Sequence, residues 1–228
     1  MTSTEKLIEL VAAATASRRD ELWAAILRDV QANSVLELGV WKGEFAEYLL
    51  RHCPAIARYY MLDPWQHLDH WNKPANVDQA SFDAIYSEAM VRSDFAGERR
   101  IVLRGTTTQM IDRIPDGALD VAYIDGDHSL RGISIDLIRT YAKVRPGGIL
   151  GGDDYTPSIW QHAENFEPSL VCPFAAYFAE SQGAPLIVMP HNQFAIVKPP
   201  DPGNFFQVID KSQGYGERAL LWQVAKRT

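Results

Sequence analysis

The sequence predicts a doubly wound α/β fold built on a mainly parallel, seven-stranded sheet with one antiparallel strand. Three observations lead there. Short apolar runs alternate with stretches of helical periodicity along the chain. A glycine turn, Gly39-Val-Trp-Lys-Gly43, joins the first apolar run to the helix after it. Two late runs separated by Pro190-His-Asn192 read as a hairpin, which reverses one strand. With 228 residues and 46% hydrophobic content, the chain can bury one substantial core.

From Glu5 to Val30, Leu7, Ile8, Leu10, Val11, Leu22, Trp23, Ile26 and Leu27 recur at helical spacing around a break at Thr15 to Ser17, which gives one or two leading helices. Ser34 to Leu38 is the first strand, and a helix follows from Glu44 to Leu50. A second strand, Arg58 to Leu62, ends at Asp63-Pro-Trp65, where proline cannot extend a sheet ladder. The insertion over 66–99 is longer than an ordinary connection and contains a helix from about Asp78 to Arg92. It reads equally as a lid or as a local core filled by Trp65, Trp71 and Phe82. Arg100 to Leu103 is the third strand, and Gly105 to Ile114 a turn with a short helix. Asp120 to Ile124 is the fourth strand, and the helix from Ser129 to Lys143 is capped by Ser129. The fifth strand runs from Gly148 to Gly152. A helical region covers Ser158 to Glu180, broken at Pro168 and Pro173. The hairpin strands are Pro185 to Met189 and Gln193 to Val197, and Asn204 to Thr228 offers at most a short helix.

Composition narrows the function. A formal charge of −7 argues against a surface built for phosphate backbones, although a local basic patch could survive it, so nucleic acid is not the expected partner. Only Cys53 and Cys172 are present, which suits a reducing cytoplasm better than a disulfide scaffold. The N-terminus lacks the basic start and apolar run of a signal peptide. No segment reaches the ~18 apolar residues of a membrane span. A cytoplasmic protein is expected, and the leading helices offer an apolar face that could pair two copies.

In an open parallel sheet, ligands collect beyond the carboxyl ends of the strands. Those ends carry Glu37 to Gly43, Asp63, Gly105 to Thr107, Asp125 to His128, and Asp153 with Asp154. The spacing GxxxG at Gly39 and Gly43 lacks the middle glycine that lets backbone approach a pyrophosphate, so a cofactor without phosphates is favoured. Asp63 is placed to accept hydrogen bonds from two ribose hydroxyls. Each feature also has a plainer reading, since a glycine turn can serve packing and Asp-Pro a bend.

Three aspartates at two neighbouring strand ends would raise one another's pKa unless a cation or hydrogen bonds offset the repulsion. An all-oxygen cluster selects a hard ion such as Mg²⁺. The alternative is that Asp153 or Asp154 caps the following segment while Asp125 binds backbone amides.

Together these residues resemble the class I S-adenosylmethionine-dependent methyltransferases. Val35-Leu-Glu-Leu-Gly-Val-Trp-Lys-Gly43 is similar to their first motif, Leu62-Asp63 to their second, and Arg145-Pro-Gly-Gly148 to the turn before their fifth strand. Tyr123-Ile-Asp-Gly-Asp-His-Ser129 with Gly151-Gly-Asp-Asp-Tyr155 resembles the metal-dependent macrocin-type sugar O-methyltransferases and, more distantly, catechol O-methyltransferase.

The resemblance implies a Rossmann-like methyltransferase fold in a single domain, with leading helices over 1–33, a cofactor-binding core over 34–198 and a C-terminal extension over 199–228. It implies S-adenosylmethionine, and its product S-adenosylhomocysteine, beside Glu37, Gly39, Trp41, Gly43 and Asp125, with Asp63 on the ribose and Gly105, Thr106 and Thr107 bordering the adenine. Asp125, Asp153 and Asp154 would hold Mg²⁺ or another hard divalent cation, and His128 or Asp127 would be the base.

The expected reaction is methyl transfer to a hydroxyl of a small molecule such as a sugar, phenol or polyketide, with the cation orienting and acidifying that hydroxyl. His128 could also be a hydrogen-bonding residue at the helix start. A metal-independent N-, C- or carboxyl-methyltransferase, a silent cofactor-binding partner and a nicotinamide oxidoreductase are the competing functions. The Asp-Pro-Trp and bulky insertion depart from the macrocin-type pattern, so the acceptor stays open.

Overall fold

A computed structural model describes residues 3–156, 158–201 and 203–212. The leading segment forms two helices, α1 (Ser3–Ala13) and α2 (Arg19–Asp29), separated at the expected break. Then come β1 (Ser34–Leu38), α3 (Glu44–His52), β2 (Arg58–Asp63), α4 (Gln79–Ser93), β3 (Arg100–Arg104), the short α5 (Thr107–Met110), β4 (Leu119–Ile124), α6 (Leu130–Lys143), β5 (Val144–Gly152), α7 (Val171–Ser181), β6 (Leu186–Met189), β7 (Gln193–Val197) and β8 (Val208–Asp210). The sheet order is β3-β2-β1-β4-β5-β7-β6-β8, with β7 antiparallel to both of its neighbours.

The sheet thus has the expected architecture with eight strands instead of seven. The additional strand, β8, lies in the C-terminal extension and pairs parallel with β6. Its three residues are too few to show a period in the sequence. The rest of that extension, 213–228, for which the sequence offers at most a short helix, lies outside the described residues.

Both faces of the central strands are covered, which is why β1 is buried at all five positions. On one face Val35, Tyr59, Met61, Val121, Tyr123 and Ile149 pack with Trp23, Ile26 and Leu27 of α2 and with α3. On the other, Leu36, Leu62, Ala122, Ile124 and Leu150 pack with Ile133 and Leu137 of α6 and with α7. Trp65 and Phe82 of the insertion are buried at 0% and 3% exposure. Trp65 joins the core on the α2 and α3 side of the sheet and Phe82 meets Trp41 edge-on, whereas Trp71 reaches the site described below.

Two boundaries differ from expectation. The helical region over 158–180 contracts to α7, and the residues before it are irregular. Pro173 sits in the first turn of α7, where a missing amide hydrogen leaves no helical bond unmade. β5 begins at Val144, so Arg145-Pro-Gly-Gly148 belongs to the strand's irregular start, where its pairing with β4 shifts register. The hairpin turn is as predicted: His191 and Asn192 both take left-handed φ, of 61° and 57°, the twist a tight β-hairpin requires.

Candidate active site

Register sets the site. β1 pairs Leu38 with Ile124, and β4 pairs Ile124 with Gly152, so one residue further on Gly39, Asp125 and Asp153 come side by side. Strand side chains alternate between faces. Glu37, Asp63, Asp125 and Asp153 share parity with Tyr123 and Gly151, on the face covered by α2 and α3. Gly39 has φ of +86°, and a Cβ there would lie 2.0 Å from the Asp125 carbonyl oxygen. No larger residue fits the turn.

Glu37 is buried at 2% exposure and accepts a hydrogen bond from the Tyr59 hydroxyl at 2.8 Å. Burial raises its pKa well above the usual carboxylate range, with the Tyr59 bond pulling the other way and the charge of Asp125 adding to the rise.

Asp63 is the pin of the glycine turn. Its Oδ2 accepts from the amides of Val40 at 2.9 Å and Trp41 at 3.0 Å, and its Oδ1 from the amide of Trp65 at 2.7 Å. A carboxylate offers about four lone-pair sites, so three are committed to backbone, which leaves room for one ribose hydroxyl rather than two. Burial raises its pKa and these amides oppose the shift.

Trp41 and Gly43 shape the remainder of the turn. Trp41 has φ of 53°, its carbonyl accepts from the Trp65 indole at 2.8 Å, and its ring stands edge-on to Phe82 with centroids 6.1 Å apart. Gly43, at φ of 78°, precedes α3, and a Cβ there would lie 3.1 Å from Ala89 of α4.

At the end of β3, Gly105 borders an open cavity of about 640 Å³ lined also by Pro64, Gln66, Gln79, Arg104, Gln109 and Met110. The amide of Thr106 donates to the Gln109 side chain at 2.9 Å. Thr107 turns inward and donates to Asp136 of α6 at 2.6 Å. Thus Gly105 faces the cavity, while Thr107 links two helices beneath it.

The acidic end of the sheet carries alternating charge. Asp153 contacts the guanidinium of Arg19, and the same guanidinium nitrogen lies 3.0 Å from Asp125 Oδ2. The other Asp125 oxygen is 3.4 Å from His128 Nε2, and His128 Nδ1 is 2.7 Å from Asp154 Oδ2. Asp153, Arg19, Asp125, His128 and Asp154 therefore form a row of opposite neighbours.

Burial by itself would lower the His128 pKa, yet the carboxylates of Asp125 and Asp154 on either side push it up to about 10. Burial would likewise raise Asp154, and His128 holds it below the usual range. Asp154 reaches its partner from a left-handed backbone, at φ of 58°.

The structure brings together Asp125, His128 and Asp154, whose ligand atoms all lie within 4.8 Å of one another. Asp153 stands apart from that group. Its Oδ1 accepts from the amide of Asp154 at 2.8 Å and the Gln193 amide at 2.6 Å, and its Oδ2 meets Arg19. Asp127 is also engaged, accepting from Trp71 Nε1 at 2.9 Å and from the amide and hydroxyl of Ser129, each at 3.0 Å. Ser129 caps α6 as expected, through the amide of Gly132 at 3.1 Å.

Sequence reasoning missed Arg19 and Lys73. Lys73 is 6% exposed, and its ammonium donates to the carbonyls of Glu167 at 2.7 Å and Pro168 at 3.0 Å. It clamps the insertion onto the segment whose Leu170 amide donates to the His128 carbonyl at 2.7 Å. Neither carries a local sequence signal: Arg19 stands between Arg18 and Asp20, and Lys73 between Asn72 and Pro74.

A family model described as a methyltransferase domain matches residues 36–155, more than half of the chain. The chain belongs to the methyltransferase-domain family. The matched span runs from the glycine turn through the aspartates after β5. Comparison with curated proteins gives no match.

Among solved structures, this methyltransferase-family chain is similar to an O-methyltransferase from Bacillus cereus in complex with SAH, at 15% identity and a TM-score of 0.54, covering 86% of this chain and 90% of that one. It is also similar to the O-methyltransferase TomG from Streptomyces achromogenes, solved in complex with SAM, at 16% identity and a TM-score of 0.53, covering 87% and 90%. At such identities the likeness is one of fold. No helix among the described residues is long and apolar enough to cross a membrane.

Proposed function

We propose that this chain transfers a methyl group from S-adenosylmethionine to a hydroxyl of a small molecule, assisted by a divalent cation. The observation that carries the reading is the convergence of Asp125, His128 and Asp154 beside a glycine turn that touches the Asp125 backbone.

The donor set suits the groups invoked. Mg²⁺ is commonly held by one or two carboxylates with water completing its shell, and Asp125 and Asp154 supply two. His128 Nε2 is buried without a hydrogen-bond partner, so an unused polar atom faces the same space. For the methyl donor, the absence of the pyrophosphate glycine pattern, the one free Asp63 lone pair and the cavity at Gly105 suit a nucleoside without phosphates.

When bound, S-adenosylmethionine would supply an already activated methyl, and a divalent cation held by Asp125 and Asp154 would acidify a nearby hydroxyl. The chain must then align the acceptor oxygen with that methyl and remove one proton. Alignment falls to Asp125 and Asp154. His128 takes the proton once its carboxylate neighbours are engaged elsewhere, since without their charge its pKa returns toward the neutral range. Asp127, committed to Trp71 and Ser129, holds the loop in place. As the acceptor oxygen bonds to the methyl carbon, the sulfur–carbon bond breaks and its electron pair stays on sulfur.

The test measures S-adenosylhomocysteine formation with a panel of sugar, phenolic and polyketide hydroxyls, with and without chelator. Mg²⁺-dependent turnover that Asp125→Asn reduces by about 100-fold or more is expected. Turnover indifferent to chelator removes the cation, and a protein that does not bind S-adenosylhomocysteine by calorimetry removes the cofactor.

A further inference from the structure

Arg19 opens α2 against the local preference of a helix. Arg18 and Arg19 occupy the cap and first-turn positions, where the helix dipole disfavours cations, and Arg18 makes no capping hydrogen bond. Arg18 is compensated nearby by Asp20. Arg19 is compensated across the fold, by two carboxylates from two strand ends.

Packing fixes this placement. Trp23, one helical turn beyond Arg19, is fully buried, and a Cβ on Gly151 would lie 2.3 Å from its indole. Gly151 precedes Asp153 by two residues. A helical turn advances about 5.4 Å and two strand residues about 6.6 Å, so seating Trp23 on Gly151 sets Arg19 over Asp153. The Trp23 indole nitrogen also donates to Gln193 at 2.8 Å, and the Gln193 amide donates to Asp153 at 2.6 Å. One side chain therefore registers both the helix and the acid.

The participants differ in freedom. Arg19 has 42% of its side chain exposed, against 22% for Asp125 and 13% for Asp153. The carboxylates are held, and the long arginine, lying over the Phe45 ring at 5.8 Å, is the partner that can leave toward solvent.

From this we infer that Arg19 is a built-in counter-cation of the acidic site, occupying Asp125 and Asp153 and competing there with a divalent ion. Asp125 is the shared group: one oxygen faces Arg19 and the other faces the His128 and Asp154 side. Arg19 thereby keeps the carboxylates compensated when no ion is bound, and it sets the ion's affinity. The inference rests on the cation reading proposed above and deepens it.

The experiment titrates Mn²⁺ into the full-length chain, with free ion read by electron paramagnetic resonance, for wild type, Arg19→Gln and Arg19→Lys. Arg19→Gln removes the charge while keeping a donor for Asp153, and it is expected to tighten Mn²⁺ binding by about tenfold. Arg19→Lys retains a positive charge and should stay close to wild type. Equal or weaker binding by Arg19→Gln overturns the inference, as does a Lys variant that binds as tightly as the Gln variant.

Absence of Mn²⁺ binding in all three overturns it together with the cation reading. S-adenosylhomocysteine binding, measured by calorimetry in the same preparations, reports on the cofactor reading separately. Should Arg19→Gln not fold by circular dichroism, Arg19→Met decides in its place. It removes the charge and keeps the apolar stem over Phe45, so it must bind Mn²⁺ more tightly than wild type, and an affinity no higher than wild type overturns the counter-cation role.

Discussion

At the scale of single residues, His128 has a proton to explain. Its imidazole lies between Asp125 and Asp154 and is pushed up to about 10, so at neutral pH the ring without a bound cation is protonated, with Nδ1 2.7 Å from Asp154 and Nε2 facing Asp125 at 3.4 Å. A base must be unprotonated, and its competence is lost as pH falls below its pKa. The charges of Asp125 and Asp154 together therefore keep the resting ring inactive. In metal-free protein, Asp154→Asn should lower the His128 pKa by about 1–2 units, since removing one close opposite charge has that effect. Imidazole carbon-bound protons followed by NMR against pH would read it. A titration midpoint unmoved by the substitution would show that the neighbouring carboxylate is not the cause.

At the scale of elements, the insertion after β2 acts on the reactive loop through two side chains. Trp71 donates to Asp127, and Lys73 spans to the 167–168 carbonyls, beside the Leu170 amide that holds the His128 carbonyl. Burial lowers the Lys73 pKa, and the neighbouring acids oppose that shift. Lys73→Met would leave two carbonyls without their charged donor, a change that costs about 1.5–3 kcal/mol where the bond is to a charged group. The expected result is faster amide exchange across 158–170 and about a tenfold lower rate of methyl transfer, with S-adenosylhomocysteine affinity unchanged. Equal exchange in wild type and variant would refute the clamp, and a matching loss of cofactor affinity would show that the whole fold had loosened. None of this was visible in sequence, where the insertion read only as long and aromatic. Lys73 and its acceptors are more than ninety residues apart, and the contact is to backbone, which leaves no side-chain signature.

At the scale of the whole molecule, legibility follows the range of the interactions. The strand–helix alternation, the glycine turn and the hairpin were readable because period, φ demand and turn chemistry are local. The strand-end aspartates were readable because an open parallel sheet presents its carboxyl ends together. What sequence could not supply was the partner of each acid. Arg19 and Asp125 are 106 residues apart, and Thr107 meets Asp136 across the gap between α5 and α6.

That last pair bears on global stability. Asp136 is 4% exposed, and burial raises its pKa to about 7 against the pull of the Thr107 hydroxyl. Because the folded value lies above the unfolded one, the native state binds the extra proton. The carboxyl's contribution is thus full below about pH 4, is lost as pH rises toward 7, and stays lost above it. Asp136→Asn keeps the acceptor for Thr107 and cannot ionise, so its stability relative to wild type should grow by on the order of a few kcal/mol between pH 5 and pH 8. Urea unfolding of both proteins across that range measures the difference directly, because every other titrating group is common to them. A gap that is the same at both ends of the range would mean that Asp136 ionises without penalty, and that water reaches the space between α5 and α6.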